Sequence, residues 1–231
     1  VDRVNAVPAR RILTNSRYTQ AYIKQVYDKE SLVSYLGVDT AVFRPMGLPR
    51  ERLVLAVGRL ELRKRFEMAI QAIGRIPRKD RPQFVIATQS DRPHRRRIET
   101  LAKELHVPLR IVVGVTDDEL AQWYNRASMV TYTAIREPFG LAAIEAMACG
   151  TPVIGVREGG LQESIQDGQT GFVVDVTPSA VADAIQRLLD DPALQRRMGE
   201  AGIAVVQERW TWDAAVDRFE RNLHEVAAGE R

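Results

Sequence analysis

Residues 128–156 read SMVTYTAIREPFGLAAIEAMACGTPVIGV. SMVTYTA (128–134) and TPVIGV (151–156) are short runs rich in β-branched residues, separated by a stretch of helix length. Pro138 holds Glu137 extended and presets a helical turn, so a helix is expected to begin near Gly140. Strand, helix and strand in this order make a βαβ unit with parallel strands and a right-handed crossover. Neither run alternates strictly between apolar and polar residues, as expected of strands covered on both faces.

The same alternation extends outward. RRILTNS, LVLAVG (53–58), QFVIATQ (83–89), LRIVVG (109–114) and GFVVDV (171–176) recur with helix-length segments between them. The expected fold is therefore α/β, a doubly wound parallel sheet of Rossmann-like kind. In DDELAQWYNRA (117–127), Asp117 reads as the N-cap, and Leu120, Trp123, Tyr124 and Ala127 fall at core-facing spacing. Beyond Val176 the pattern is all helical: TPSAVADAIQRLL, DPALQRRMGEAGIAVVQE and TWDAAVDRFERNLHEVAA each open on a capping residue, with an early Pro in the first two.

Residues 1–48 fit this scheme poorly. They supply a strand, a helix (Tyr18 to Tyr27), a second short strand near LVSYLG, and then the Pro- and Gly-punctuated VDTAVFRPMGLPRE. One strand and one helix cannot bury themselves alone. The expectation is that 1–48 is a remnant of a preceding domain plus a hinge, and that 49–231 is a ligand-binding domain with C-terminal helices.

Composition narrows the class. The 231 residues carry 33 Lys+Arg, 30 Asp+Glu and one cysteine, and 45% are apolar, enough for a sizeable core. A single cysteine cannot form an internal disulfide, and no apolar run approaches the roughly 18 residues of a spanning helix. A cytoplasmic protein is expected. The net charge of +3 hides an asymmetry, because residues 50–110 sum to +9 and the remainder to −6. The basic half suits an anionic partner: nucleic acid, an anionic membrane surface or a phosphorylated small molecule.

Three segments carry chemistry, and each follows a strand end, where open α/β sheets bind ligands. In Gly58-Arg59-Leu60-Glu61-Leu62-Arg63-Lys64, Arg59 and Lys64 are placed to converge on one anion; the alternative is a solvated basic loop. A Walker A loop is excluded, since Arg63 stands where its second Gly would be and no Ser or Thr follows Lys64. In the second segment, a helix from Gly140 would present the amides of Phe139, Gly140 and Leu141 as a phosphate cradle. Glu145 would sit about 7 Å further along the axis, the distance of a ribose from its own diphosphate. Glu137 could instead complement the helix dipole, and Cys149 reads as a core residue, with no His nearby in sequence. The third segment, TPVIGVREGGL, ends on the pair Gly159-Gly160, which permits a close backbone approach or merely a turn.

GRLELRK, GVTDDEL and EPFGLAAIEAMACGTPVIGVREGGLQESIQDGQTGFVV together resemble the C-terminal half of GT-B glycosyltransferases, specifically the family-4 retaining nucleotide-sugar transferases. GVDTAVFRP resembles that family's interdomain hinge. The resemblance implies that Arg59 and Lys64 grip the donor diphosphate with the amides of Phe139, Gly140 and Leu141, and that Glu145 binds the ribose hydroxyls. It further implies that Glu137 lies beside the transferred sugar and that the loop around Val115 and Asp117 meets the nucleobase. Two positions depart from the family pattern: Arg65 stands at the usual Gly after the motif lysine, and Thr133-Ala134 at the usual Pro-Ser.

The activity so implied is that of a metal-independent hexosyltransferase using a nucleoside-diphosphate sugar as substrate, with no cofactor. No Asp-x-Asp follows a strand, and His94, His106 and His224 are scattered. The acceptor site would belong to an N-terminal domain, so this chain should bind donor and transfer little alone. RPHRRR (92–97) raises a peripheral contact with the inner face of a membrane through Arg92, Arg95, Arg96 and Arg97, against a plain solvated face. Nucleic acid is disfavoured, because those cations lack interleaved aromatics. A non-catalytic nucleotide-sugar-binding or interaction domain is the alternative, and an NAD-dependent oxidoreductase lacks its G-x-G-x-x-G.

Overall fold

A computed structural model describes residue 9 and residues 11–89 and 94–228. Two sheets are present. The smaller pairs β1 (Leu13–Thr14) with β2 (Leu32–Val33) in parallel, joined by helix α1 (Arg17–Tyr27). Ser16 caps α1 through the amide of Thr19 at 3.0 Å.

The larger sheet holds β3 (Glu51–Val57), β4 (Gln83–Thr88), β5 (Leu109–Val113), β6 (Ala127–Tyr132), β7 (Val153–Val156) and β8 (Gly171–Val174) in the order β5-β4-β3-β6-β7-β8. Every pairing is parallel. Counted from its first strand, this is the 3-2-1-4-5-6 order of a doubly wound nucleotide-binding sheet. All six residues of β6 are buried, Ser128 and Thr131 included, so both faces are covered, as the lack of strict alternation led us to expect.

The covering helices are α2 (Phe66–Arg75), α3 (Arg95–Glu104), α4 (Asp117–Arg126), α5 (Leu141–Ala148), the single turn α6 (Leu161–Ser164), α7 (Pro178–Asp190), α8 (Pro192–Arg209) and α9 (Trp212–Ala227). α2 packs on α3 and α7, while α5 packs on α4 and α8. Thr177, Asp191 and Thr211 cap the last three helices, and Pro178 and Pro192 open the first turns of α7 and α8. The N-cap of α4 is Thr116 and not Asp117. Thr116 and Glu119 form a reciprocal capping box, which satisfies two first-turn amides where a lone Asp would satisfy one. Asp117 lies in the first turn, exposed.

The two sheets meet through residues 35–43 and the C-terminal helices. Val38 donates its amide to the carbonyl of Trp210 at 2.7 Å, and Val38 pairs with Thr211 as an isolated parallel bridge. Tyr35, Phe139 and Trp210 form an aromatic trio, with centroids 5.1–5.9 Å apart. No helix among the described residues is long and apolar enough to cross a membrane.

Candidate active site

The order of the large sheet reverses between β3 and β6, and the crevice outside their carboxyl ends is where such folds take ligands. The loop after β3 ends in a single 3-10 turn, Leu62–Lys64. It is tied to the segment after β6 at the backbone. The Ile135 amide donates to the Arg63 carbonyl at 2.9 Å, and the Thr133 hydroxyl donates to the carbonyls of Lys64 and Arg65, both at 3.0 Å.

Their side chains meet as well. Lys64 Nζ lies 2.8 Å from Glu137 Oε2, with only 14% and 16% of the two side chains exposed. Tyr132, at the end of β6, offers its hydroxyl to Lys64 Nζ at 3.3 Å, and its ring centroid lies 5.3 Å from that cation. Burial, then the charge of Glu137, raises the Tyr132 pKa and keeps the phenol protonated. Glu137 precedes α5 by a short loop, and its partner is Lys64.

α5 begins at Leu141 as expected, and no side chain caps it. Its N-cap, Gly140, adopts φ 89°, ψ 61°, a left-handed conformation open to glycine at little cost. The first-turn amides are thus left to water or to a ligand, at the positive end of the helix dipole. The Gly159-Gly160 pair proves to be a close approach. A Cβ at Gly160 would lie 2.1 Å from the Pro138 carbonyl oxygen, and one at Gly159 would lie 2.4 Å from that of Glu137. The Gly160 amide donates to the Glu137 carbonyl at 2.8 Å, and Glu158 accepts the Arg136 amide at 3.0 Å. The loop after β7 therefore buttresses the Glu137 backbone.

Glu145 lies about 6 Å along α5 from Leu141. It is half-buried and accepts a hydrogen bond from the Tyr124 hydroxyl at 2.7 Å. Desolvation raises its pKa, the Tyr124 hydrogen bond opposes that shift, and the charge of Asp117 adds to it. Val115 follows β5, packs against the core and accepts from Gln89 Nε2 at 2.9 Å. Phe139 is buried against Tyr35 and Trp210.

The structure thus brings Lys64 onto Glu137 and sets both beside the open end of α5. Arg59 is held elsewhere: its Nε lies 2.9 Å from Glu61, with 64% of its side chain exposed. Cys149 is fully buried, and desolvation pushes its thiol pKa up to about 12, as befits a core residue. Of the basic run, Arg92 lies outside the described residues, Arg95 pairs with Glu99 at 2.7 Å, and Arg97 pairs with Glu67 at 3.1 Å. Arg96 is exposed on the same helix. Tyr132 and the Tyr124 partnership with Glu145 escaped the sequence reading. Tyr132 had one usable signal, its position at the carboxyl end of a predicted strand.

Residues 41–205 match the family model described as glycosyl transferases group 1. The D-inositol 3-phosphate glycosyltransferase of Streptomyces bingchenggensis is 35% identical over 205 residues, covering 79% of this chain and 45% of its own length. The sucrose-phosphate synthase of Thermosynechococcus elongatus superposes with a TM-score of 0.89 at 32% identity, over 99% of this chain and 61% of that one. Anabaena HepE, solved in complex with UDP-glucose, shares the fold at 19% identity and a TM-score of 0.84, over 94% of this chain and 64% of its own. The chain spans about half the length of the curated relatives it matches.

Proposed function

Since the chain belongs to the group 1 glycosyl transferases, we propose that it is the donor-binding part of a retaining hexosyltransferase that uses a nucleoside-diphosphate sugar. The observation that carries this reading is the Lys64–Glu137 pair beside the uncapped N-terminus of α5, at the point where the strand order reverses. A cation and a positive helix end suit a diphosphate, while a carboxylate between them suits sugar hydroxyls. The UDP-glucose complex of HepE supports a donor of this class.

In this reading Lys64 and the amides of Phe139, Gly140 and Leu141 hold the diphosphate, and Arg59 swings from Glu61 to join them. Glu145 accepts hydrogen bonds from the ribose hydroxyls, and Val115 and Asp117 border the nucleobase. Glu137, carried on a backbone braced by Gly159 and Gly160, faces the transferred sugar. As the bond from the anomeric carbon to phosphate breaks, the sugar becomes oxocarbenium-like and negative charge grows on the diphosphate. Preorganised N–H groups and cations lower the barrier by stabilising that charge. Retention requires the acceptor hydroxyl to arrive on the face the diphosphate leaves, so the departing oxygen is the base nearest its proton.

The acceptor site is assigned to the half of the relatives that this chain does not match, so the chain alone should bind donor and transfer slowly. Calorimetric titration with UDP, GDP, ADP, their hexose conjugates and NAD tests the reading. One nucleoside diphosphate should bind, and Lys64→Ala and Glu145→Ala should weaken it. Binding of NAD and of no nucleoside diphosphate would overturn it.

A further inference from the structure

Arg50, on the segment entering β3, makes an unusual set of contacts. Its Nη1 donates to the carbonyls of Tyr124 (2.8 Å) and Ala127 (2.9 Å) and to the Thr151 hydroxyl (2.5 Å). Its Nη2 donates to the carbonyls of Cys149 (3.0 Å) and Gly150 (2.7 Å). These four carbonyls close the C-terminal ends of α4 and α5. No carboxylate among the described residues pairs with the guanidinium. Its counter-charge is the negative end of two helix dipoles.

The two helices so joined carry the pair that faces the crevice. Tyr124 offers its carbonyl to Arg50 and to the Thr151 hydroxyl (2.6 Å), while its own hydroxyl reaches Glu145 at 2.7 Å. On the other side, the Cys149 amide donates to the Glu145 carbonyl at 3.2 Å, and the Cys149 carbonyl accepts from Arg50. One planar, five-donor group therefore holds the backbone on both sides of the Tyr124–Glu145 hydrogen bond. A lysine ammonium cannot reproduce that fork.

We infer that Arg50 is a positioning residue for nucleotide recognition: by locking the C-termini of α4 and α5 together, it holds Glu145 where it can accept both ribose hydroxyls. The inference rests on the proposed nucleoside-diphosphate donor and on the ribose role of Glu145. It adds a residue that touches no ligand and lies at the opposite end of both helices from the crevice.

The test compares UDP with 2′,3′-dideoxy-UDP, or the guanosine or adenosine pair if calorimetry selects that base. Wild type should prefer the ribonucleotide, and Glu145→Gln should reduce that preference. Arg50→Lys should lower ribonucleotide affinity by about tenfold, the worth of one well-placed charge-assisted hydrogen bond, and leave the dideoxy nucleotide nearly unaffected. Combined with Glu145→Gln, it should add little. Thr151→Val, which removes the hydroxyl shared by Arg50 and the Tyr124 carbonyl, should act in the same direction and serves if Arg50→Lys fails to fold. If wild type does not distinguish the two nucleotides, the ribose role of Glu145 falls and Arg50 loses its role with it. If wild type distinguishes them and folded Arg50→Lys keeps the full preference, or weakens both nucleotides equally, the Arg50 inference alone is overturned.

Discussion

Lys64 and Glu137 stand 73 positions apart in the chain and 2.8 Å apart in space, and their ion pair joins the loop after β3 to the loop after β6. It places a cation and a carboxylate at one strand-order reversal, and the two halves of the pair should answer differently to mutation. Lys64→Ala should weaken nucleoside-diphosphate binding at least tenfold and lower transfer by on the order of 10² to 10³. Glu137→Gln should keep or tighten diphosphate binding, because Lys64 loses its competing partner, while transfer falls. Calorimetry and steady-state rates read both, and equal losses of affinity would refute the division of roles.

Arg59 should affect rate without affecting the fold. Its ion pair with Glu61 is solvent-exposed, so Arg59→Ala should change unfolding free energy by no more than about 0.5 kcal/mol. Transfer should nevertheless fall by on the order of 10² or more. Urea denaturation alongside kinetics checks this, and an unchanged rate would remove Arg59 from the site.

Glu145 should make stability depend on pH. Its folded pKa is raised, chiefly by desolvation, so the native state holds the proton more tightly than the unfolded chain. That contribution is fully present below the unfolded carboxyl pKa and is lost as pH rises through the folded value. Glu145→Gln, which is neutral throughout, should therefore gain stability relative to wild type as pH rises across that window. Ribonucleotide binding by wild type should strengthen over the same window as the carboxylate forms. Denaturation curves between pH 4 and pH 8 would expose the opposite slope.

Gly160 should tolerate no side chain. A Cβ there meets the Pro138 carbonyl at 2.1 Å, and relief requires moving the backbone that carries Glu137. Gly160→Ala should cost about 1–3 kcal/mol of stability and lower transfer even where the protein stays folded. Wild-type kinetics in a folded variant would show that the buttress is dispensable.

Arg65 adopts φ 51°, ψ 40°, a left-handed conformation that costs an L-residue about 1–2 kcal/mol. This is the position at which the resemblance led to an expectation of glycine. Arg65→Gly should relieve that strain against the extra entropy of an unfolded glycine, for a net gain of about 0.5 kcal/mol. A loss above about 1 kcal/mol in chemical denaturation would mean that Arg65 makes a stabilising contact which offsets its strain.

Much of the fold could be read from the chain alone. Runs without strict polar–apolar alternation pointed to strands covered on both faces, and β6 is buried at every residue. Thr177, Asp191 and Thr211 announced the last three helices, because a cap and the amide it satisfies lie within three residues of one another. Pro138 and Gly140 located the start of α5 for the same local reason. Asp117 was misread as a cap because Thr116 precedes it, and the capping box with Glu119 satisfies more amides. What the tertiary structure alone decided are the relations across strands: Lys64 with Glu137, Tyr124 with Glu145, Gly160 against Pro138, and Arg50 across two helix ends. Those contacts depend on the lateral order and register of β3, β6 and β7, which bring distant segments to one sheet edge. Local periodicity and capping act over a few residues, and the order of strands in a sheet is settled only when the whole core packs.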